Sequence, residues 1–193
     1  MVYNMDFFSK KARERGFRAR SVFKLHEINK KYKLIVKGDR VLDIGSYPGS
    51  WLQACVGLNC SYVLGVDIRD ISPVTGADFL KVDITLDEVF DKIAKKNSEF
   101  DMVMSDVAPK TGGNMDAYRS YLLSSRAYEI AKRFLRPGGN FLCKIFMGPE
   151  FESFLSEVRK DFLFVKAIKP QSSKKRSREI YIVAKTYKSK RRT

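Results

Sequence analysis

The sequence contains very little histidine and cysteine. His26 is the only histidine, which excludes histidine triads and histidine-based metal sites. The three cysteines, Cys55, Cys60 and Cys143, lack the spacing of metal ligands, and their odd number predicts reduced thiols in a cytosolic protein. Acid–base chemistry must therefore come from lysine, aspartate, glutamate or tyrosine.

Long apolar runs are also missing, so the sequence predicts no membrane-spanning segment. The N-terminus turns polar at Ser9, which argues against a secretory signal. A length of 193 residues with 44% hydrophobic residues fits one globular domain, and neither a repeat nor a domain linker is visible. We expect a single-domain, cytoplasmic monomer that holds no metal.

Positive charge is abundant and lies mainly at the two ends of the chain. Residues 1–40 carry 12 Lys and Arg against 4 Asp and Glu, a net charge of +8. Residues 41–157 carry 12 against 16, or −4, and residues 158–193 carry 13 against 2, or +11. A solvated surface with a basic tail would explain part of this pattern. Two basic ends around an acidic middle favour a nucleic-acid surface, because lysine and arginine neutralise phosphates.

Short apolar runs typical of strands alternate with helical periodicity along most of the chain. The predicted strands are Arg40–Gly45, Tyr62–Ile68, Phe79–Ile84, Phe100–Asp106, Asn140–Phe146, Phe162–Lys169 and Glu179–Tyr187. This alternation predicts an α/β fold with a mostly parallel, seven-stranded, Rossmann-like sheet and helices on both faces. Only residues 170–178 separate the last two strands, too few for a helical crossover, so the final strand should be antiparallel.

A glycine turn lies at the end of the first predicted strand, and an acidic residue lies at the end of each of the next two. Gly45 and Gly49 flank the turn, but the Gly-x-Gly-x-x-Gly pattern of dinucleotide sites is absent. Asp67 stands where a carboxylate takes ribose hydroxyls, and Asp83 where one accepts from an adenine amino group. Turns and helix caps would explain each residue singly. Their coincidence at strand ends predicts an adenosine-bearing cofactor without phosphates; S-adenosylmethionine fits, and NAD is the competing ligand.

Lys144 lies within the apolar run Asn140–Phe146, where a lysine is unusual. Its strand should lie about 4.8 Å from the strand that ends at Asp106. The pattern therefore predicts a Lys–Asp pair near the carboxyl ends of two central strands. A buried ion pair without any catalytic role, or a lysine that extends past the strand end to solvent, explains this pattern alone at least as well.

Five segments carry a more specific pattern that extends over nearly the whole chain. They are Arg20–Ile28, Asp43–Gly45 with Pro48, Gly49 and Trp51, Ser105–Pro109, Cys143–Phe146, and Ser172–Ser173 with Arg176–Tyr181. Together they resemble the FtsJ/RrmJ family of 2′-O-ribose RNA methyltransferases. The resemblance implies a catalytic tetrad of Lys24, Asp106, Lys144 and Glu179. It also implies cofactor contacts at Gly49, Trp51, Asp67, Asp83 and Asp106.

Two positions depart from the family pattern. Ser50 stands where a second glycine is usual, and Tyr47 where a small residue is common. Both lie in the predicted turn after the first strand, so they should alter its packing without removing the cofactor contacts that the resemblance implies.

The implied chemistry assigns a role to each residue of the tetrad. A ribose hydroxyl is a poor nucleophile, so an enzyme must align it and remove its proton as the new bond forms. A lysine serves as a base only where burial or a second cation lowers the pKa of an amine. We expect Lys144 to be the general base, Asp106 to orient it, and Lys24 to position the hydroxyl and supply that cation. Glu179 either takes part or pairs with a neighbouring cation.

The expected activity is therefore S-adenosylmethionine-dependent methylation of a ribose 2′-hydroxyl in RNA. By resemblance, the target is a uridine of large-subunit rRNA, with the tRNA anticodon loop as the alternative. An NAD-dependent oxidoreductase and a non-catalytic RNA-binding module are the alternatives from other classes.

Overall fold

The computed structural model describes residues 7–109, 112, 115–174 and 176–188, and its strands form one seven-stranded sheet. In chain order the strands are Arg40–Ile44 (β1), Tyr62–Asp67 (β2), Asp78–Lys81 (β3), Phe100–Ser105 (β4), Leu135–Phe146 (β5), Phe162–Ile168 (β6) and Glu179–Tyr187 (β7). All seven predicted strands are present, and each overlaps its predicted range.

Helices connect most of the strands and cover both faces of the sheet. They are Phe7–Glu14 (α1), Val22–Tyr32 (α2), Ser50–Gly57 (α3), Glu88–Lys96 (α4), Asp116–Phe134 (α5) and Phe151–Asp161 (α6). Within the described ranges, none of the helices combines the length and the apolar character that crossing a membrane requires.

The strand order is β3-β2-β1-β4-β5-β7-β6. Neighbouring strands from β3 to β5 are parallel, and β7 is antiparallel to both β5 and β6. The prediction of a late antiparallel strand is confirmed, and its cause is the short connection after β6, which leaves no room for a crossover helix. The order reverses between β1 and β4, which is where open α/β sheets bind ligands.

Alternate residues of each strand belong to two separate hydrophobic clusters. Leu42 and Phe141 face α4, α5 and α6 on one side of the sheet. Val41 and Leu142 face α1, α2 and α3 on the other side. Because side chains alternate along a strand, Lys144 lies on the same side as Leu142 and so faces α2.

Three local features differ from the predicted elements. The start of the chain contains helix α1, which was not predicted; Phe8 packs on Phe23 of α2 with ring centroids 5.6 Å apart, so tertiary contacts stabilise it. The Pro137–Gly139 segment precedes the predicted strand Asn140–Phe146 but lies inside β5, because Leu135 already pairs with Phe100 before a register shift. Strand β3 ends at Lys81, so Asp83 lies in the following turn rather than in the strand.

Candidate active site

A cleft of about 870 Å³ opens at the carboxyl ends of β1, β2 and β4. Its walls come from the turn after β1, from the loops after β2, β3 and β4, and from one residue of α5. The lining residues include Gly45, Tyr47, Asp67, Arg69, Asp83 and Asp106. The cleft therefore lies at the point where the strand order reverses.

Three acidic residues line this cleft. Asp67 accepts hydrogen bonds from the Tyr47 N–H at 3.0 Å and from the Arg69 N–H at 2.9 Å. Asp83 accepts from the N–H and the hydroxyl of Thr85, at 2.9 and 2.8 Å. These bonds fix both carboxylates and leave each of them with acceptor capacity for a ligand in the cleft.

The rest of the lining is mainly apolar. It includes Ile68, Val82, Ile84, Val107 and Leu123. Among the described residues that line the cleft, Arg69 is the only lysine or arginine. Carboxylates beside apolar walls suit the hydroxyl and amino groups and the flat base of an adenosine better than they suit phosphates. The residues present thus fit an adenosine-bearing ligand without phosphates.

The glycine turn has a steric reason. Gly45 has a φ of +79°, and a Cβ at this position would lie 2.9 Å from the Cα of Val107 in the loop after β4. A side chain at residue 45 would therefore push apart the two loops that form the base of the cleft.

Two of the predicted cofactor contacts lie elsewhere. Neither Gly49 nor Trp51 is among the described residues that line the cleft. Gly49 has a φ of +103° at the start of α3, and a Cβ there would lie 2.8 Å from a guanidinium nitrogen of Arg18. Trp51 is buried and its Nε1–H donates to the carbonyl of Ser21 at 3.0 Å, which ties α3 to α2. Their role as direct cofactor contacts stays a prediction.

Lys144 and Asp106 are brought together by the pairing of β4 with β5. Ser105 pairs with Cys143, so the next residues along both strands are Asp106 and Lys144. The Lys144 Nζ lies 2.8 Å from Asp106 Oδ1 and donates to the Asp106 carbonyl at 2.5 Å. The Lys144 side chain is 8% exposed, so the ion pair is largely shielded from water.

Lys24 and Glu179 form a second ion pair on the same side of the sheet. Lys24 Nζ lies 2.6 Å from Glu179 Oε1, and both side chains are 11% exposed. Among the described residues, the ion-pair partner of Glu179 is Lys24 of α2, and not Lys174, Arg176 or Arg178. The pair balances the charge of Lys24, the residue expected to act as the second cation near Lys144.

Tyr181 links the two ion pairs. Its hydroxyl donates to Asp106 Oδ1 at 2.6 Å, and Lys24 Nζ lies 5.7 Å from the centre of its ring. Lys24, Asp106, Lys144, Glu179 and Tyr181 thus form one cluster, called the charged network below. The four residues of the expected tetrad all belong to it, with two positive and two negative charges.

The charged network determines the ionisation of Asp106. Burial raises the pKa of the Asp106 carboxyl, but the charges of Lys144 and Lys24 and hydrogen bonds from Lys144 and Tyr181 outweigh burial, and the pKa lies below its ordinary value. Burial, followed by the nearby carboxylates of Asp106 and Glu179, raises the pKa of the Tyr181 phenol well above its ordinary value. Asp106 is therefore ionised and Tyr181 is a neutral hydrogen-bond donor.

Sequence reasoning did not single out Tyr181 as a site residue. It lies two positions after Glu179 in β7, on the same face, and pairs directly with Lys144 of β5. The period-two relation to Glu179 was available from the sequence. The pairing with Lys144 was not, because it depends on the insertion of β7 beside β5.

The fold and the site together define a Rossmann-like protein in which a cleft that fits an adenosine lies beside a buried lysine–carboxylate pair. Asp106 belongs to both parts, because it lines the cleft and pairs with Lys144.

Comparison with known proteins places the chain within this class. The model of the FtsJ-like methyltransferase family matches residues 17–187, and the chain belongs to that family. It is 44% identical over 93% of its length to ribosomal RNA large subunit methyltransferase E of Methanothrix thermoacetophila, covering 72% of that protein. It is 40% identical over 97% of its length to the protein of the same name from Archaeoglobus fulgidus, covering 99% of it.

A solved structure shares the fold. It is a crystal structure from Plasmodium falciparum named as a ribosomal RNA methyltransferase, with a TM-score of 0.80 and 28% identity; the match covers 89% of this chain and 98% of that one. The expected Rossmann-like methyltransferase fold is confirmed.

Proposed function

We propose that this methyltransferase uses S-adenosylmethionine to methylate the ribose 2′-hydroxyl of a uridine in large-subunit rRNA. The observation that carries the proposal is the buried pair of Lys144 and Asp106 at the edge of the cleft. The names of the relatives support large-subunit rRNA as the target. The free cysteines suit the cytoplasm, and a monomer stays a prediction.

The cleft residues would hold the cofactor by its adenosine part. Asp67 would take the ribose hydroxyls and Asp83 the adenine amino group, while Gly45 lets the loops approach closely enough to form the base. When bound, the cofactor supplies a methyl group activated by a positively charged sulfur. Asp106 lines the same cleft, so the charged network lies beside the bound cofactor.

The charged network would take the proton from the 2′-hydroxyl. Lys144, as the free amine, accepts it, and the Asp106 carboxylate stabilises the ammonium that forms. Tyr181, which donates to Asp106, and the charge of Lys24 would help to keep Asp106 ionised beside Lys144. Lys24, held by its ion pair with Glu179, would orient the hydroxyl.

The N-terminal segment and the loop after β6 contact each other. Arg20 donates to the Ser172 carbonyl at 2.7 Å, and the Glu27 carboxylate accepts from the backbone N–H groups of Gln171 and Ser172 at 2.7 and 3.2 Å. These bonds fix the loop after β6 against α2. The two basic segments that they join would form one surface, whose exposed basic residues would include Lys10, Arg13, Arg15, Lys174, Arg176 and Arg178. We assign RNA phosphate binding to this surface.

The test is methyl transfer from labelled S-adenosylmethionine to large ribosomal subunits, protein-free rRNA and tRNA. A methylated 2′-oxygen cannot attack the adjacent phosphodiester, so the label should survive alkaline hydrolysis in a dinucleotide that begins with uridine. Lys144→Ala should abolish transfer, and the exposed control Lys92→Ala should not. Label recovered in mononucleotides after alkaline hydrolysis would contradict ribose as the target. Preferential labelling of tRNA would contradict rRNA as the substrate.

A further inference from the structure

Tyr47 and Arg69 stack on each other at the rim of the cleft. The guanidinium carbon of Arg69 lies 3.8 Å from the centre of the Tyr47 ring, and both residues line the cleft. A small residue at position 47 would leave Arg69 without this partner.

The stack covers Asp67, the residue proposed to hold the ribose hydroxyls. Arg69 Nε lies 3.4 Å from Asp67 Oδ1, while the Tyr47 backbone donates to Oδ2 at 3.0 Å. Asp67 is only 6% exposed although it lines an open cleft, whereas the Arg69 side chain is 61% exposed. The Arg69 side chain thus covers one oxygen of the carboxylate, and the Tyr47 ring packs against that side chain.

Arg18 connects the two loops that carry Tyr47 and Arg69. The Arg18 guanidinium donates to the carbonyl of Pro48 at 3.1 Å, to that of Ser72 at 2.5 Å and to that of Pro73 at 2.6 Å. One side chain therefore joins the turn after β1 to the loop after β2. Arg18 thus fixes the two loops that carry Tyr47 and Arg69, and Asp67 contacts both of these residues.

We propose that Tyr47 and Arg69 are binding residues for the cofactor and form a stacked clamp over its ribose end. Hydrogen bonds from ribose hydroxyls to Asp67 are stronger where water is excluded, and the two planar groups provide that exclusion. The clamp acts on binding alone, because its residues lie on the Asp67 side of the cleft and not in the charged network. The identity of the ligand rests on the proposed function.

The test is calorimetric titration with S-adenosylhomocysteine, which carries the same adenosine and no transferable methyl group. Tyr47→Ala and Arg69→Gln should each raise the Kd about five- to tenfold. Tyr47→Phe keeps the ring and should therefore bind as the wild type does. Arg69→Gln leaves the turn after β1 unchanged, so it tests the clamp even if Tyr47→Ala disturbs folding. Tyr118→Ala and Arg133→Gln, exposed residues of α5, are the matched controls.

Two further measurements separate a clamp from a structural role. In steady-state kinetics, Arg69→Gln should raise the KM for S-adenosylmethionine while kcat stays within about twofold. The double variant Tyr47→Ala with Arg69→Gln should have a Kd no higher than that of the weaker-binding single variant, because either substitution alone removes the stack. A Kd within twofold of wild type in Arg69→Gln would overturn the clamp alone. A wild-type chain that does not bind S-adenosylhomocysteine would overturn the proposed function itself.

Discussion

The cleft and the charged network share Asp106, yet they treat charge differently. In the cleft, Asp67 and Asp83 accept hydrogen bonds from backbone N–H groups: Asp67 from Arg69 and Tyr47, and Asp83 from Thr85. In the charged network, each carboxylate pairs with a lysine from a distant element: Asp106 with Lys144, and Glu179 with Lys24. Neutralising a carboxylate of the cleft therefore leaves no buried lysine unpaired, whereas neutralising a carboxylate of the charged network leaves its lysine buried without a counter-charge.

Under the proposed function, this difference separates the residues that bind the cofactor from the residues that take part in proton transfer. A carboxylate at an open cleft serves as a hydrogen-bond acceptor, and its loss weakens a ligand by a modest amount. A buried lysine that loses its partner is an uncompensated charge, which costs both stability and the geometry needed for proton transfer. Variants of the two regions should therefore differ in kind as well as in size, and Asp106 should show both effects.

The largest effect is expected at Asp106, where the two regions meet. Asp106→Asn removes the charge that stabilises the Lys144 ammonium and also changes a cleft-lining group. We expect kcat to fall roughly 10²- to 10⁴-fold and the Kd for S-adenosylhomocysteine to rise. Single-turnover transfer and calorimetry measure the two effects separately, with Asp91→Asn on α4 as the control. A loss of the transfer rate alone would assign Asp106 to the charged network, and a loss of affinity alone would assign it to the cleft.

The second prediction concerns the Lys24–Glu179 pair. Glu179→Gln should lower the free energy of unfolding by about 3 to 5 kcal/mol, because it leaves Lys24 buried without its counter-charge. Adding Lys24→Met should recover much of that stability without restoring turnover. Urea unfolding and single-turnover transfer on the same proteins provide the measurements. Full activity in the double variant would reduce this pair to a structural element.

A smaller effect is expected for a carboxylate of the cleft alone. Asp83→Asn keeps an acceptor oxygen but loses the charge, so the KM for S-adenosylmethionine should rise about tenfold while kcat changes little. Steady-state kinetics at saturating RNA measures both quantities. A fall in kcat as large as that of Asp106→Asn would remove the distinction between the two regions.

The smallest effect concerns Asp43, a buried carboxylate of β1 whose two oxygens have no hydrogen-bond partner among the described residues. Burial, followed by the charges of Asp106 and Asp67, raises its pKa well above the ordinary value. A raised folded-state pKa gives stability that is present at low pH and lost as pH rises through it. Asp43→Asn should therefore raise the Tm relative to wild type by roughly 2–4 °C at pH 8, and by less at pH 4. An equal difference at both pH values would contradict this assignment.

Much of the sheet could be predicted from the sequence because strands leave local patterns. Apolar runs marked all seven strands, and the short segment before Glu179 indicated the antiparallel β7. Helix α1 could not be predicted in the same way, since it depends on packing against Phe23. The full extent of β5 was not predicted because Pro137–Gly139 is typical of a turn; β5 passes through this segment with a register shift between the pairs Phe100–Leu135 and Met102–Asn140.

The candidate site divides in the same way. Lys144 was conspicuous because a lysine inside an apolar strand is locally unusual, and the strand order then placed it beside Asp106. The Glu179–Lys24 pair joins residues far apart in the sequence, and neighbouring arginines offered Glu179 nearer partners. Tyr181, Arg18 and the Tyr47–Arg69 stack depend on contacts between distant segments that no local pattern encodes.

The most direct test of the account is Lys144→Arg, assayed for methyl transfer and for S-adenosylhomocysteine binding on the same preparation. Arginine keeps a positive charge beside Asp106 but stays protonated, so it preserves an ion pair and cannot serve as a base. We predict that transfer falls at least about a hundredfold while the Kd stays within about twofold of wild type. Transfer at the wild-type rate in Lys144→Arg would contradict proton removal by Lys144.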